Sequence, residues 1–264
     1  MTDPPVRYRV TDSVATITLD RPDAMNSLDT ATKVALRDAL SEAAGDGSVR
    51  CVVLTGNGRA FCVGQDLREH MEILHSSSSD ELFRTVPEHY NPIVTTIATM
   101  PKPVVAAVNG IAAGAGASLA FACDFRVLAD SAGFNLAFTG VALSCDSGAS
   151  WTLPRLVGRA RALELLYFPR TVKAAECLEL GLATKVVPAS SLAVEVAGLA
   201  GRLAAGPTVA FGAVRRALDC SAGHDLVTSL DFEAEMMTLT GRTRDHENAV
   251  AAFVAKETPR FEGR

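Results

Sequence analysis

The chain has 264 residues, 48% of them hydrophobic and 21% charged, enough to bury one large core with or without a small appendage. A net charge of −5 with no long basic run argues against nucleic acid as the main partner, and no apolar run nears the roughly 20 residues of a membrane span. The six cysteines (51, 62, 123, 145, 177 and 220) lack CxxC spacing, and Met1-Thr2-Asp3-Pro4-Pro5 carries neither an apolar signal core nor a basic transit pattern. Reduced, buried thiols in a soluble cytoplasmic protein are the expectation.

In chain order, Val14-Ala15-Thr16-Ile17-Thr18-Leu19 predicts a strand closed by Asp20-Arg21-Pro22-Asp23. Ser27 or Asp29 is placed to cap the next helix, whose Val34, Leu36, Ala39, Leu40 and Ala43 recur near helical spacing. Cys51 to Thr55 predicts a second strand ending at Gly56-Asn57-Gly58, and the segment from Phe61 to Leu67 runs on into a helix. His75-Ser76-Ser77-Ser78-Ser79-Asp80 is a polar loop of the kind that covers a site. Val104 to Val108 predicts a third strand, with Phe125 to Ala129 and Gly133 to Leu136 as a further strand pair. From Ser190 onward only helical patterns follow, at roughly 190–204, 207–221, 225–240 and 243–256, with Gly206 as a break and Pro207 at a first helical position. Strands alternating with helices predict an α/β fold with a core buried on both faces of its sheet. The all-helical tail has no strand to cover, so its apolar faces predict self-association.

Two turns and one acid carry the chemistry. The stretch Pro103-Val104-Val105-Ala106-Ala107-Val108-Asn109-Gly110-Ile111-Ala112-Ala113-Gly114-Ala115-Gly116-Ala117-Ser118-Leu119 is a buried strand, a turn of tiny residues and a helix start. Such a turn lets bare backbone amides approach a ligand, and the helix start leaves unpaired N–H groups beside a positive dipole end. The turn from Gly56 to Gly64 delivers a second backbone segment in the same way, so one N–H from each could meet a single carbonyl oxygen. Ser118 supplies a hydroxyl and no acid, so proton chemistry must come from elsewhere. Asp146 stands among Leu143, Ala149, Trp151 and Leu153, just before Ser147-Gly148. On these residues alone it reads equally as a helix cap and as a proton carrier.

Phe61-Cys62-Val63-Gly64-Gln65-Asp66-Leu67 and Asn109-Gly110-Ile111-Ala112-Ala113-Gly114-Ala115-Gly116-Ala117 resemble the two signature loops of the crotonase (enoyl-CoA hydratase/isomerase) superfamily. The resemblance runs from Leu19-Asp20-Arg21-Pro22 and Asn26-Ser27-Leu28 to Ala252-Phe253-Val254-Ala255-Lys256. Tyr90-Asn91-Pro92, Asp146-Ser147-Gly148 with Trp151, and the run from Leu153-Pro154-Arg155 to Ala162 point within it to the 1,2-epoxyphenylacetyl-CoA isomerase branch.

The resemblance implies a spiral of repeated ββα units with a helical C-terminal region that assembles homotrimers or dimers of trimers. The expected division is a core with the acyl-CoA site over 1–200 and a helical oligomerisation region over 201–264. The implied substrate is an acyl-CoA thioester, with coenzyme A entering as part of the substrate and no metal or other cofactor. By position, the Gln65 and Ala115 N–H groups would hold the thioester oxygen, with Gly114 beside them. Gln65, Asp66, Leu67 and Arg68 would line the CoA groove, and Tyr90 and Trp151 would wall the acyl pocket. The superfamily's hydratases use two glutamates, whose places here hold Ser118 and Phe138. Neither can act as a base, and Phe138 makes the pocket drier and suited to a bulky acyl group. Asp146 falls where related isomerases and a dehalogenase place a working aspartate. The implied activity is isomerisation of an unsaturated or epoxidised acyl-CoA. The alternatives are hydration or thioester hydrolysis through water held by Ser118 and Asp146, or a scaffold that binds acyl-CoA without turnover.

Overall fold

Three successive turns of the chain each lay one strand in each of two sheets and then cross back through a helix. The computed structural model describes residues 4–76 and 82–264. In the principal sheet, β1 (Val6–Thr11) and β2 (Val14–Leu19) pair antiparallel, and β3 (Cys51–Gly56), β5 (Val104–Val108), β7 (Phe125–Ala129) and β10 (Lys185–Val187) follow in parallel. The second sheet is built from much shorter pieces in the order β4 (Ala60–Cys62), β6 (Ile111–Ala113), β8 (Gly133–Asn135) and β9 (Val172–Lys173). The segments expected as a strand pair at 125–129 and 133–136 are therefore not partners, because β7 joins the first sheet and β8 the second. β5 is buried at every position, as a parallel strand covered on both faces requires.

The helices cover these sheets. They are α1 (Thr30–Gly45), α2 (Leu67–Ser76), α3 (Asn91–Thr99), α4 (Ala115–Ala122), α5 (Ala149–Tyr167), α6 (Ala174–Glu179), α7 (Leu192–Ala204), α8 (Thr208–Ser221), α9 (Leu226–Gly241) and α10 (Arg244–Ala255). Of the two caps expected for α1, Asp29 does the work, accepting the Thr32 N–H at 2.8 Å. A single turn of π-helix, Val86–Tyr90, precedes α3 and carries Tyr90 inward. The polar run at 75–80 lies mostly outside the described residues; its first two residues, His75 and Ser76, end α2. A boundary at 200/201 would cut α7, which packs on β2, β3, β5 and β7 of the principal sheet. Beyond it, α8 and α9 pack on each other and leave Leu218, Leu226 and Met237 exposed, and α10 leaves Phe253 exposed. No helix among the described residues is long and apolar enough to cross a membrane.

The two sheets and α4 meet at a point where backbone touches backbone. A β-carbon on Gly116 would fall on the Cys62 carbonyl oxygen. One on Gly64, whose φ is +83°, would stand 2.8 Å from the Ala113 oxygen and 3.2 Å from the Ala115 nitrogen. Gly116→Ala is accordingly expected to lower the unfolding free energy by about 1–3 kcal/mol, the usual cost of overpacking. Chemical denaturation checks this, with Ala117→Ser on the same helix as the comparison.

Candidate active site

The glycine contact sets the loop 63–66 against the first turn of α4, and both border one cavity of about 870 Å³. An isolated parallel bridge to Leu28 fixes the loop from its other side. Leu28 donates to the Gly64 oxygen at 2.8 Å, and the Asp66 N–H donates back to Leu28 at 3.1 Å. In a parallel bridge the residue between those two bonds turns its own N–H away from the partner strand. Gln65 is that residue. Across from it, α4 begins at Gly114 (φ 50°, ψ −124°) with no side-chain cap, which leaves the Ala115 N–H unpaired at the positive end of the helix. Among the described residues, no acceptor takes either the Gln65 or the Ala115 N–H.

The Gln65 side chain is held as firmly as its backbone. Its carboxamide oxygen accepts from the Tyr90 hydroxyl at 2.7 Å and from the Lys33 ammonium at 3.2 Å. Burial raises the Tyr90 hydroxyl well above its ordinary value, with the Asp146 charge adding to it, so Tyr90 is a neutral donor. Lys33, almost fully buried on α1, also donates to Thr85 Oγ1 at 2.7 Å. Burial lowers its ammonium below the ordinary lysine value, against the opposing pull of Glu69, Asp29, Asp66 and Asp146.

Asp66 lines the cavity, yet its carboxylate is committed to structure. Oδ2 accepts from Ser27 at 2.8 Å and Arg21 at 3.0 Å, and Oδ1 accepts from the Arg68 N–H at 3.1 Å at the start of α2. Burial pushes this carboxyl up, but the Ser27 and Arg21 hydrogen bonds outweigh it and hold the group below the usual range. Other carboxylates along the cavity are engaged as well. Asp29 pairs with Arg21 at 3.0 Å, and Glu69 accepts the Thr30 N–H at 2.9 Å. Asp23 and Glu72 stand exposed at the mouth.

Asp146 is different. Its Oδ1 is buried without a hydrogen-bond partner, as is the Ser147 hydroxyl beside it. Burial raises its carboxyl above the ordinary value; Ser147, close but outside hydrogen-bond geometry, and the Lys33 charge pull the other way. The backbone here is strained, with Ser147 (φ 51°) and Gly148 (φ 77°) both left-handed ahead of α5. Gly148 holds the cap position of α5, so the expected alternative of Asp146 as a side-chain cap does not occur.

The structure gathers Gln65, Asp66, Leu67, Arg68, Tyr90, Gly114, Ala115, Phe138 and Asp146 around this one cavity. Two expected site residues stay outside it. Ser118 is wholly buried inside α4, where its hydroxyl bonds back to the Gly114 oxygen at 3.2 Å. Trp151 is 50% exposed on α5 with the Arg155 guanidinium stacked on its ring at 3.2 Å, and it does not line this cavity. Read from the sequence, Lys33 and Arg21 have no place in the site, and Ser27 only that of a helix cap. For Lys33 the signal was present: it lies three residues before Leu36, on the apolar face of α1. All six cysteines are free, and burial pushes the Cys62 thiol up to about 12, which leaves it unreactive. No three potential metal ligands cluster among the described residues.

The enoyl-CoA hydratase/isomerase family model matches residues 9–264. The 1,2-epoxyphenylacetyl-CoA isomerase of Escherichia coli strain K12 is 39% identical over 255 residues, covering 97% of each chain. A probable enoyl-CoA hydratase of Rhodobacter capsulatus is 40% identical over 259 residues, covering 98% of each. The crystal structure of an enoyl-CoA hydratase from Bacillus anthracis superposes with a TM-score of 0.92 at 33% identity, covering 98% of this chain and 100% of that one.

Because burial raises the Asp146 carboxyl, its ionised form costs stability. That cost is absent below the unfolded value of about 3.9, grows as pH rises past it, and is complete above the higher folded value. Asp146→Asn is expected to melt above the parent chain at about pH 7 and level with it at about pH 3, as calorimetry at the two pH values would show.

Proposed function

The chain belongs to the enoyl-CoA hydratase/isomerase family, and on that premise we propose that it isomerises an unsaturated or epoxidised acyl-CoA through a thioester enolate. The observation that carries this reading is the Asp146 carboxylate, one of its oxygens without a hydrogen-bond partner, on the same cavity as the free Gln65 and Ala115 N–H groups. The thioester oxygen accepts from both N–H groups, each such donor lowering the barrier of acyl chemistry by about 2.7–4 kcal/mol. On a 3-enoyl-CoA, Asp146 takes a proton from C2 while the electron pair moves onto the thioester oxygen. Returning that proton at C4 shifts the double bond and leaves the composition unchanged. With an epoxidised acyl group, the same donors hold the thioester oxygen while Asp146 assists the ring to rearrange. A raised carboxyl suits the role, since a base whose value approaches working pH both accepts and returns a proton readily.

What the cavity lacks supports isomerisation over hydration. The place of a second acid is taken by Phe138, 7% exposed, and Ser118 does not reach the cavity. Phe138, Leu143, Val141 and Tyr90 present an apolar lining that accommodates a bulky acyl group. At the mouth, Arg59 and Arg68 stand exposed and supply cations for the phosphates of a CoA handle. The exposed apolar side chains on α8, α9 and α10 support assembly of copies through this region, as a trimer or a dimer of trimers.

Asp146→Asn keeps shape and loses the base. Its kcat on 3-enoyl-CoA and epoxyphenylacetyl-CoA substrates is expected to fall by about 10²–10⁴. Product mass by chromatography reads the reaction type: isomerisation leaves it unchanged, hydration adds one water, and hydrolysis frees CoA. A variant within about threefold of the parent chain would overturn the role of Asp146.

A further inference from the structure

Lys33 is only 2% exposed and lies on the face of α1 that buries Leu36 and Leu40. Packing does not call for a charge there, because a methionine fills the same volume without desolvating an ammonium. Nor is it simply the counter-ion of Glu69, whose carboxylate is 3.8 Å away, beyond hydrogen-bond reach. Its short contacts go to Thr85 Oγ1 (2.7 Å) and Gln65 Oε1 (3.2 Å), with the ammonium 5.5 Å from the centre of the Tyr90 ring.

We infer that Lys33 is a positioning residue: with the Tyr90 hydroxyl it locks the Gln65 carboxamide and so fixes the direction of the Gln65 N–H. An amide oxygen has two lone pairs, and here both are filled, so the carboxamide cannot rotate without breaking a bond. The bridge to Leu28 holds the same residue through its backbone, and Gly64 seats it against Ala115. Lys33 is thus the charged member of a clamp that acts on a donor from behind, outside the lining of the cavity. Aim matters because a donor stabilises a developing oxyanion only when already oriented toward it. The inference rests on the proposed role of the Gln65 N–H as a donor to a thioester oxygen.

The test uses hexanoyl-CoA labelled with carbon-13 at the thioester carbonyl, a saturated ester with no double bond to move. Difference infrared spectroscopy reads the carbonyl stretch on binding, which falls in proportion to the hydrogen bonds the oxygen accepts. Lys33→Met is expected to lose about half of the fall seen with the parent chain. Its affinity by calorimetry should stay within about threefold, since the CoA contacts lie elsewhere. Should that variant not fold, Thr85→Val removes the ammonium's shorter bond while keeping the charge, and a smaller loss is expected. A stretch that falls as far in the variants as in the parent chain overturns the inference alone. No fall in the parent chain overturns the role of the Gln65 N–H, and this inference with it.

Discussion

The Cys62 carbonyl oxygen occupies the space where any side chain at position 116 would begin, and the Ala113 oxygen and Ala115 nitrogen crowd Gly64 in the same way. This backbone-to-backbone contact presses the loop after β4 against the N-terminus of α4 with no side chain between them. Two consequences follow from the one approach. The loop and the helix end open onto a single cavity, and the N–H groups of Gln65 and Ala115 are left without protein acceptors on its wall. A residue of ordinary size at either glycine would separate the donors by the width of a methyl group, too far to share one oxygen. The spiral of strands serves this contact, because each turn of chain places a short second-sheet strand next to the one before it.

Around that contact, environment divides the carboxylates into different tasks. Asp66 receives hydrogen bonds from Arg21, Ser27 and the first turn of α2, and these keep it ionised and fixed in place. It ties the β2–α1 connection to the loop that bears Gln65. Asp146 receives no hydrogen bond at Oδ1 and is pushed in the opposite direction by burial. Two aspartates on one cavity therefore differ in basicity for reasons visible in their neighbours, and only the unsatisfied one has capacity left for a proton.

Much of this was legible in the chain. The apolar runs placed β2, β3, β5 and β7, the helical spacing placed the tail helices to within two residues, and the glycine-rich turns marked the loops that meet. The second sheet was harder to see, because strands of two or three residues such as β4 and β9 carry no periodicity. β1 was missed because only Val6 of its six residues is buried, so an edge strand shows little apolar pattern. Trp151 misled for a related reason: sequence puts it five residues from Asp146, but the left-handed turn at Ser147-Gly148 and the start of α5 swing it to the surface. Ser118 is three residues beyond Ala115, nearly one helical turn, and its hydroxyl closes onto the helix itself. Lys33 shows the converse case, a charge out of place on an apolar face that the pattern could have flagged.

In the proposed reading, the residue that stands in place of a second acid and the acid that remains share one cavity. Phe138 puts an aromatic ring on the cavity that Asp146 shares, and an apolar wall removes water from both partners of a would-be hydration. Water held between two acids needs a free carboxylate on each side, and Asp66, Asp29 and Glu69 on this cavity are already engaged with other groups. The same dryness deprives Asp146 of solvent, raising its affinity for a proton. Loss of hydration and gain of isomerisation are then, in the proposed reading, a single physical change. In the proposed reaction, the proton that Asp146 carries is the acyl group's own. Proton transfer between two carbons of that group then needs no third participant, and the charge it generates falls on the oxygen that the two free N–H groups face.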